Sequence, residues 1–384
     1  MKPLIHLSLT DDWELRGNGS GDIEEIQFRP MRELVGIYNR YNVRSTFNAE
    51  VMQQLTFRKF QAEFPELRAL ADRWDEHVTE AYRQGHDVQL HLHTQWTKAE
   101  YHHGSWKLSG DWSILNYDEE TAFELLRAGK EYLENLLRQV NPNYRAVSFR
   151  AGSSIIAPSP FILTALANSG IKLDMSIVGG MYHDTRNVQI DYRRVEEDFL
   201  PFYPQMSDAR RVSDREEAII CVPIHHFHAT RQEFLKTLAS FASRRASRVL
   251  SSAKNDKARA HERYAEEEWA ERRHANKLRR IYDKAIVPGL KGWYLTADLS
   301  RLTLPLMREM LRSIRLRAQK TGLPQVPVII SNHSKDIKDF AAIERFIAET
   351  AEATDIRFIT QTELVEKLEQ GEFPVRTAGQ YRLR

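Results

Sequence analysis

The sequence has very little cysteine and no long apolar run, and these two absences exclude several classes of protein. Its 384 residues include one cysteine, Cys221, which rules out an internal disulfide framework and a zinc site built from several cysteines. No run of about 18 apolar residues is present, so we expect no membrane span. The apolar run at the N-terminus is only about six residues long, too short for a secretory signal, and we expect a cytoplasmic protein.

The chain also lacks an excess of charge of either sign. Its 55 lysine and arginine residues nearly balance 53 acidic residues, which gives a formal net charge of +2. A chain of this charge has no global electrostatic reason to bind nucleic acid, and we expect no such partner. Hydrophobic residues make up 42% of the chain, an ordinary fraction for a globular protein with a sizeable core.

Short apolar segments alternate with helical patterns along most of the chain. Strand patterns occupy residues 4–9, 43–49, 86–93, 146–152, 172–178, 218–227, 326–331 and 356–360. Helical patterns occupy residues 30–41, 58–84, 118–139, 303–320 and 338–352, with a last one ending near 369. This alternation predicts an α/β fold with a mostly parallel sheet or barrel and helices outside. Such folds carry their chemistry at the carboxyl ends of the strands.

A charged segment interrupts this pattern. It is rich in arginine, lysine, glutamate and alanine, and it predicts one or two long helices inserted into the fold. We therefore divide the chain into a first part of the fold at 1–228, a helical insertion at 229–290 and a second part of the fold at 291–384. The simplest interpretation of the insertion is a solvated helical arm. Its arginine clusters leave open a surface for a partner protein or an anionic surface.

Polar side chains follow several of the predicted strands. They are Asp11 and Asp12 after the first strand, His91 and His93 at the end of the third, Arg150 at the end of the fourth, His225 and His226 at the end of the sixth, and Asn332 and His333 after the seventh. Because parallel strands end at one rim of a sheet or barrel, we expect these side chains to gather there.

One aspartate and two histidines at such a rim are a ligand set for Zn²⁺ or a similar divalent ion. His91 and His93 lie two residues apart on a strand, so both imidazoles leave it on the same face. The adjacent aspartates offer one carboxylate for a metal and another that accepts a proton from water. The alternative for the two histidines is a polar strand face beside solvent. The alternative for the two aspartates is an ordinary turn.

Seven motifs in the chain resemble, in order, those of the polysaccharide deacetylases of the NodB-homology type, carbohydrate esterase family 4. They are SLTDDW at 8–13, YNVRSTFNA at 41–49, GHDVQLHLH at 85–93, FRAGSS at 149–154, KLDMSIV at 172–178, ISNHSKD at 330–336 and DIRFITQTEL at 355–364. The resemblance implies a distorted, incomplete (β/α) barrel of the NodB type. It also implies a metal-dependent hydrolase that removes an N-acetyl group from an amino sugar in a glycan or glycan precursor.

Residue roles are implied by the same resemblance, position by position. They are Asp11 as the general base, Asp12, His91 and His93 as metal ligands, Arg150 as the residue that orients the base, and His333 as the general acid that protonates the leaving amine. The expected metal is Zn²⁺, with Co, Ni or Fe as alternatives.

The sequence departs from the family in the metal-binding motif and at a position predicted to contact the sugar. Gln95 stands where the family has its second metal-binding histidine, so His93 would substitute for it. Trp13 replaces a glycine and offers a face for sugar stacking. Trp96, in the aromatic loop after the histidines, and Asp174 are the other predicted substrate-binding residues. Packing of the loop against the barrel is an equal alternative for the aromatic residues.

Two other functions stay open on the sequence. One is a catalytically silent relative that binds a glycan or serves as a scaffold. Gln95 favours it, and so does the lack of a clear match to one further family motif, Asp-x-x-Asp-Trp. The retained Asp11, Asp12, Arg150 and His333 oppose it. The other is a metal-dependent amidase that acts on a non-sugar amide.

Overall fold

The computed structural model describes most of the chain on either side of the predicted insertion. The described residues are 2–102, 104–184, 188–230, 232–233 and 293–379. The insertion predicted at 229–290 therefore lies almost entirely outside the described residues, and so does the partner surface predicted on it. Among the described helices, none combines the length and the apolar character that a membrane crossing requires.

Strands and helices alternate along the chain. The strands are β1 (Leu4–Trp13), β2 (Thr46–Glu50), β3 (Asp87–Leu92), β4 (Glu100–His102), β5 (Ser105–Lys107), β6 (Ser148–Ala151), β7 (Leu173–Asp174), β8 (Tyr182–Asp184), β9 (Gln189–Asp191), β10 (Pro204–Gln205), β11 (Asp208–Val212), β12 (Ile220–Cys221), β13 (His226–Ala229), β14 (Trp293–Thr296), β15 (Gln325–His333) and β16 (Ile356–Phe358). The helices are α1 (Arg29–Arg40), α2 (Val51–Phe60), α3 (Pro65–Arg83), α4 (Glu119–Leu137), α5 (Ile162–Asn168), α6 (Leu304–Thr321), α7 (Phe340–Ala351) and α8 (Gln361–Glu369).

One sheet of eight strands organises the fold. Seven strands follow the order β12-β7-β6-β3-β2-β1-β15, and β16 pairs with β1 at Ile5–Leu7. Every pairing in this sheet is parallel. Between the edge strands the described chain makes isolated parallel bridges, Ile224 with Ile329 and Asp298 with Ser331, in place of a continuous strand. The predicted α/β class and incomplete barrel are confirmed.

The two faces of β1 have different environments. Ile5, Leu7 and Leu9 alternate with polar residues and belong to the buried apolar core that the helices share. The next residue on that face, Asp11, contacts Tyr38 of α1, whereas Asp12 contacts Arg150 of β6. The odd-numbered residues therefore face the helices, and the even-numbered residues face the inside of the curled sheet.

A proline divides the helix that the sequence predicts at 58–84. The structure has two helices there, α2 and α3, and Phe64 between them is extended, with φ −123° and ψ 95°. Pro65 opens α3, where its missing N–H costs nothing, and it disfavours helical geometry in the residue before it. The first of these helices also begins earlier than predicted, directly after the last residue of β2.

A glycine sets the distance between α4 and the strand that carries the two predicted histidine ligands. A Cβ at Gly129 would lie 3.1 Å from Leu92 Cδ2 and 3.2 Å from Leu90 Cδ1. We expect Gly129→Val to lower the free energy of unfolding by about 1–3 kcal/mol, because the added methyl groups overpack this contact. Urea unfolding followed by circular dichroism measures the change.

The matched control is Gly36→Val in α1. A Cβ there would meet one neighbouring atom, Arg40 Nη1, at 3.7 Å. We expect this variant to stay within about 0.5 kcal/mol of the wild type. Equal unfolding midpoints for the two variants would contradict close packing of α4 on β3.

Candidate active site

Three neighbouring strands bring four ligand-type side chains into one group. The register pairs Trp13 with Ala49 and Glu50 with His91, so Glu14, Glu50 and His91 lie in one row across β1, β2 and β3. His93 follows on the same face of the chain as His91. Glu14, Glu50, His91 and His93 are all buried, and one ligand atom from each lies within 4.8 Å of the others. We call these four residues the Glu–His group.

Glu14 is the centre of contacts in the Glu–His group. Its Oε2 lies 3.2 Å from His91 Nε2 and also pairs with His93 Nε2, while its Oε1 pairs with Lys335. Burial acts to raise the pKa of Glu14, but the charges of His93 and Lys335 hold it well below its usual value. Burial acts to lower the pKa of His91, but Glu14 and Asp12 raise it to about 9.

The Glu–His group fits a divalent metal. Two imidazoles and two carboxylates are nitrogen and oxygen donors that Zn²⁺ and neighbouring transition metals accept. The Nδ1–H of His91 donates to the Arg150 carbonyl at 2.8 Å, which leaves Nε2 facing the group. The Nε2 of Gln95 donates to His93 Nδ1 at 3.0 Å. Gln95 therefore contacts a candidate ligand and does not belong to the donor set.

Asp12, which the sequence predicts as a metal ligand, is not a member of the Glu–His group. Its Oδ1 accepts a hydrogen bond from Asn48 at 2.8 Å, and its Oδ2 lies 3.2 Å from Arg150 Nη1 and 3.5 Å from His333 Nε2. Burial acts to raise the pKa of Asp12, but Arg150, His91 and His333 bring it below the usual value. Asp12 is thus an ionised carboxylate beside the Glu–His group, and Arg150 orients it.

Asp11, the predicted general base, points the other way. It accepts hydrogen bonds from Asn332 Nδ2 at 2.6 Å and from the Tyr38 hydroxyl at 3.1 Å. Burial raises the pKa of Asp11 to about 7 despite these hydrogen bonds. Consecutive residues of a strand face opposite sides, so Asp11 and Asp12 cannot both face the inside of the barrel. The structure therefore does not bring Asp11 together with the other predicted groups.

His333 stands at the end of β15 with an acidic partner that the sequence analysis missed. Its Nδ1 lies 2.9 Å from Asp298 Oδ2, while its Nε2 faces Asp12. Burial acts to lower the pKa of His333, but Asp298 and Asp12 raise it above its usual value. In turn, the charge of His333 holds the pKa of Asp298 well below its usual range despite burial. The two carboxylates therefore favour the protonated form of His333.

A cavity of about 940 Å³ opens above these groups. Asp12, Glu14, His91, His93 and His333 all line it. The lining of the cavity thus combines a candidate metal group, the Asp12 carboxylate and the His333 imidazole, which is a set for metal-assisted hydrolysis.

The predicted sugar-binding residues do not line this cavity. Trp13 is fully buried, and its Nε1–H donates to the Gln27 carbonyl at 2.8 Å. Trp96 is 3% exposed and packs against Phe57 and Trp106. Both indoles fill the core that supports the site.

Asp174, the third of these residues, is also buried. It accepts a hydrogen bond from the Ser176 hydroxyl at 2.7 Å and contacts Cys221, and burial raises its pKa to about 6. The aromatic residue that does line the cavity is Trp112, which is half-buried. It comes from the loop after the two histidines, where the sequence analysis expected either a sugar platform or packing.

Two further histidines of the predicted rim do not join the cavity lining. His225 is buried, with its ring 5.9 Å from that of Phe199. The Nε2 of His226 lies 3.4 Å from Asp198 Oδ2. Of the predicted rim residues, Asp12, His91, His93, Arg150 and His333 lie together, whereas Asp11, Asn332 and this pair do not join them.

Comparisons with known proteins give matches of low identity to solved structures. No family model matches the chain, and no curated protein matches it. A solved structure described as a polysaccharide deacetylase from Mycobacterium smegmatis is 15% identical with a TM-score of 0.49, over 98% of this chain and 94% of that one. Another, from Pseudomonas aeruginosa PAO1, is 13% identical with a TM-score of 0.45, over 95% and 91%.

A third solved structure is described as a 4-alpha-glucanotransferase from Thermococcus litoralis. It is 12% identical with a TM-score of 0.49, over 96% of this chain and 41% of that one. At these values no activity or substrate transfers from any of the three proteins to this chain.

The metal content of two variants tests which of Glu14 and Asp12 is a metal ligand. We expect Glu14→Gln to lose bound metal, because the buried carboxylate shared by His91 and His93 disappears. We expect Asp12→Asn to keep about one metal ion per chain, because Asp12 is paired with Arg150 and Asn48. Elemental analysis of chelator-free protein measures both. Retention by Glu14→Gln with loss by Asp12→Asn would restore the ligand set predicted from the sequence.

Proposed function

We propose that the chain is a metal-dependent hydrolase that removes the N-acetyl group from an amino sugar in a glycan or glycan precursor. The observation that carries this proposal is the contact between Asp12 and His333 beside the Glu–His group. The Asp12 carboxylate and the His333 imidazole, whose protonated form is favoured by its carboxylate neighbours, lie 3.5 Å apart on the cavity wall. Amide hydrolysis needs this pair, because a proton must leave the attacking water and another must reach the departing nitrogen.

Glu14, His91 and His93 would hold the metal. Zn²⁺ is the ion we expect first, with Co, Ni or Fe as alternatives. When bound, a divalent metal polarises an amide carbonyl and makes water more acidic. Lys335, paired with Glu14, keeps that carboxylate ionised and oriented for this role.

Asp12 accepts the proton of the attacking water in this proposal, the role that the sequence analysis gave to Asp11. Arg150 and Asn48 fix its carboxylate from two sides, so the proton acceptor needs no rearrangement before attack. The low pKa of Asp12 keeps it ionised at neutral pH. Its Oδ2 faces His333 Nε2, so the proton acceptor and the proton donor lie beside each other at the substrate amide.

His333 donates a proton to the leaving amine. Asp298 holds its Nδ1 at 2.9 Å, which orients the ring and leaves Nε2 for the substrate. The imidazolium is favoured because two carboxylates contact it. A departing amine is a strong base, so donation from this imidazolium releases it as a neutral product.

Trp112 supplies the sugar contact. Its ring lies so close to Gly17 that a Cβ at Gly17 would be 2.1 Å from Cη2 of the indole. Because Gly17 has no side chain, the indole packs directly against the backbone of the segment that follows β1. An indole on the wall of a cavity stacks on the apolar face of a pyranose ring. The seven motifs in deacetylase order also support a sugar substrate.

The test of the reaction is a substrate panel followed by two variants. We expect amine release from N-acetylated sugars, either free, in oligosaccharides or linked to a carrier. His333→Ala should lower kcat by about 10²–10⁴-fold while metal content is unchanged. Release from small non-sugar amides alone would assign the amidase alternative. No release from any amide by metal-loaded protein would leave the silent binding role.

Asp298→Asn gives a pH signature for the acid. The charge of Asp298 raises the pKa of His333, so its removal lowers that pKa, and the protonated form is lost at lower pH. The basic limb of the pH profile of kcat/KM should therefore move to lower pH. The acidic limb, which we assign to Asp12, should stay in place. A basic limb that does not move would exclude His333 as the titrating acid.

Trp112→Ala separates sugar binding from chemistry. We expect KM for N-acetylated sugars to rise by about tenfold or more, because stacking on an aromatic face contributes about 0.5–1.5 kcal/mol beyond the area that it buries. Trp112→Phe should recover part of this loss. Steady-state kinetics with a sugar and with any small amide that is turned over measures the effect. An equal rise in KM for both substrates would contradict a sugar-specific contact.

A further inference from the structure

Glu50 has a structural task that occupies only one of its two carboxylate oxygens. It is the last residue of β2 and the N-cap of α2. Its Oε1 accepts hydrogen bonds from the backbone N–H groups of Met52 at 2.8 Å and Gln53 at 3.3 Å. Capping of this kind satisfies the first N–H groups of a helix, and serine, threonine, asparagine or aspartate are the residues that usually provide it.

The second oxygen of Glu50 is buried without a hydrogen-bond partner among the described residues. The residue is fully buried, and Oε2 is an unsatisfied acceptor. A buried carboxylate oxygen without a donor or cation is costly. An asparagine would cap α2 without placing a charge here, so the cap alone does not explain a glutamate.

The surroundings of the Glu50 carboxylate are those of a metal ligand. Glu14, His91 and His93 are the other members of the Glu–His group, and their ligand atoms lie within 4.8 Å of a Glu50 oxygen. Glutamate is one methylene longer than aspartate, so its carboxylate extends farther from the backbone toward these atoms. Lys335, the nearby cation, pairs with the opposite oxygen of Glu14.

We propose that Glu50 is a fourth protein ligand of the metal, which it binds through Oε2 while Oε1 keeps the cap of α2. This inference rests on the metal centre of the proposed function and adds a ligand that the sequence analysis did not predict. The centre then has two imidazoles and two carboxylates, one of them joined to the first turn of a helix. Metal binding is thereby linked to the stability of α2.

Two substitutions separate direct ligation from electrostatic attraction. Glu50→Gln keeps the size and a capping oxygen but removes the charge. Glu50→Asp keeps the charge and the cap but withdraws the carboxylate by one carbon–carbon bond. A ligand oxygen must reach the metal, so both variants should bind metal more weakly. A merely nearby charge would leave Glu50→Asp close to the wild type.

The experiment measures Co²⁺ and Zn²⁺ binding by competition with a chelator, and the visible absorption of the Co²⁺ protein. Before metal is added, circular dichroism and urea unfolding confirm that both variants are folded. We expect each variant to lose at least about tenfold in affinity, the lower end of what even indirect metal partners contribute. We also expect both to change the Co²⁺ spectrum, which reports the ligands directly.

Three outcomes decide the inference. Weaker binding and altered spectra in both variants support Glu50 as a ligand. Wild-type affinity and an unchanged spectrum in Glu50→Asp, with or without a loss in Glu50→Gln, would overturn it while the rest of the metal centre stands. Wild-type protein that binds neither ion would overturn the metal centre itself, and this result is read before any variant is made.

Discussion

A carboxylate removed from water needs cations around it, and the site described above depends on how this need is met at Glu14. Two imidazoles contact one of its oxygens and an ammonium contacts the other. These partners come from β3, from the chain just after it and from the turn after β15, so the charge of one side chain ties three parts of the fold together. A buried charge without its partners is strongly destabilising. A metal at this position would take the place of the Nε2 proton of His91, and Glu14 would keep a positive neighbour.

Side-chain alternation explains both what the sequence predicted and where it failed. Period-two alternation in β3 placed His91 and His93 on one face, and the structure agrees. The same rule applied to β1 groups Asp12 with Glu14 and separates both from Asp11. That signal was present in the sequence, but the role of general base was assigned to Asp11 from the resemblance of SLTDDW to the first family motif. Register, not motif, decides which carboxylate faces the cavity.

Other parts of the site were not accessible from the sequence. Glu50 ends a strand and begins a helix, and nothing local distinguishes a capping glutamate from one that also faces a site. Asp298 lies in the chain after the insertion, where no strand or helix was predicted around it. Trp13 and Trp96 were both predicted to contact a sugar, yet both are core residues. Burial of an indole depends on neighbours from distant segments, such as Gln27 and Phe57.

The parallel pairing of β1 with β15 has a consequence for the order in which the site is made. Asp12 pairs with His333 across that register, although the whole of α1 to α6 separates them along the chain. A ribosome completes the Glu–His group and Arg150 long before it adds His333. The Glu–His group must nevertheless wait for the last strands, because Lys335, the partner of Glu14, is made only after β15. A chain interrupted before β15 would lack both the ammonium beside Glu14 and the imidazole between Asp12 and Asp298.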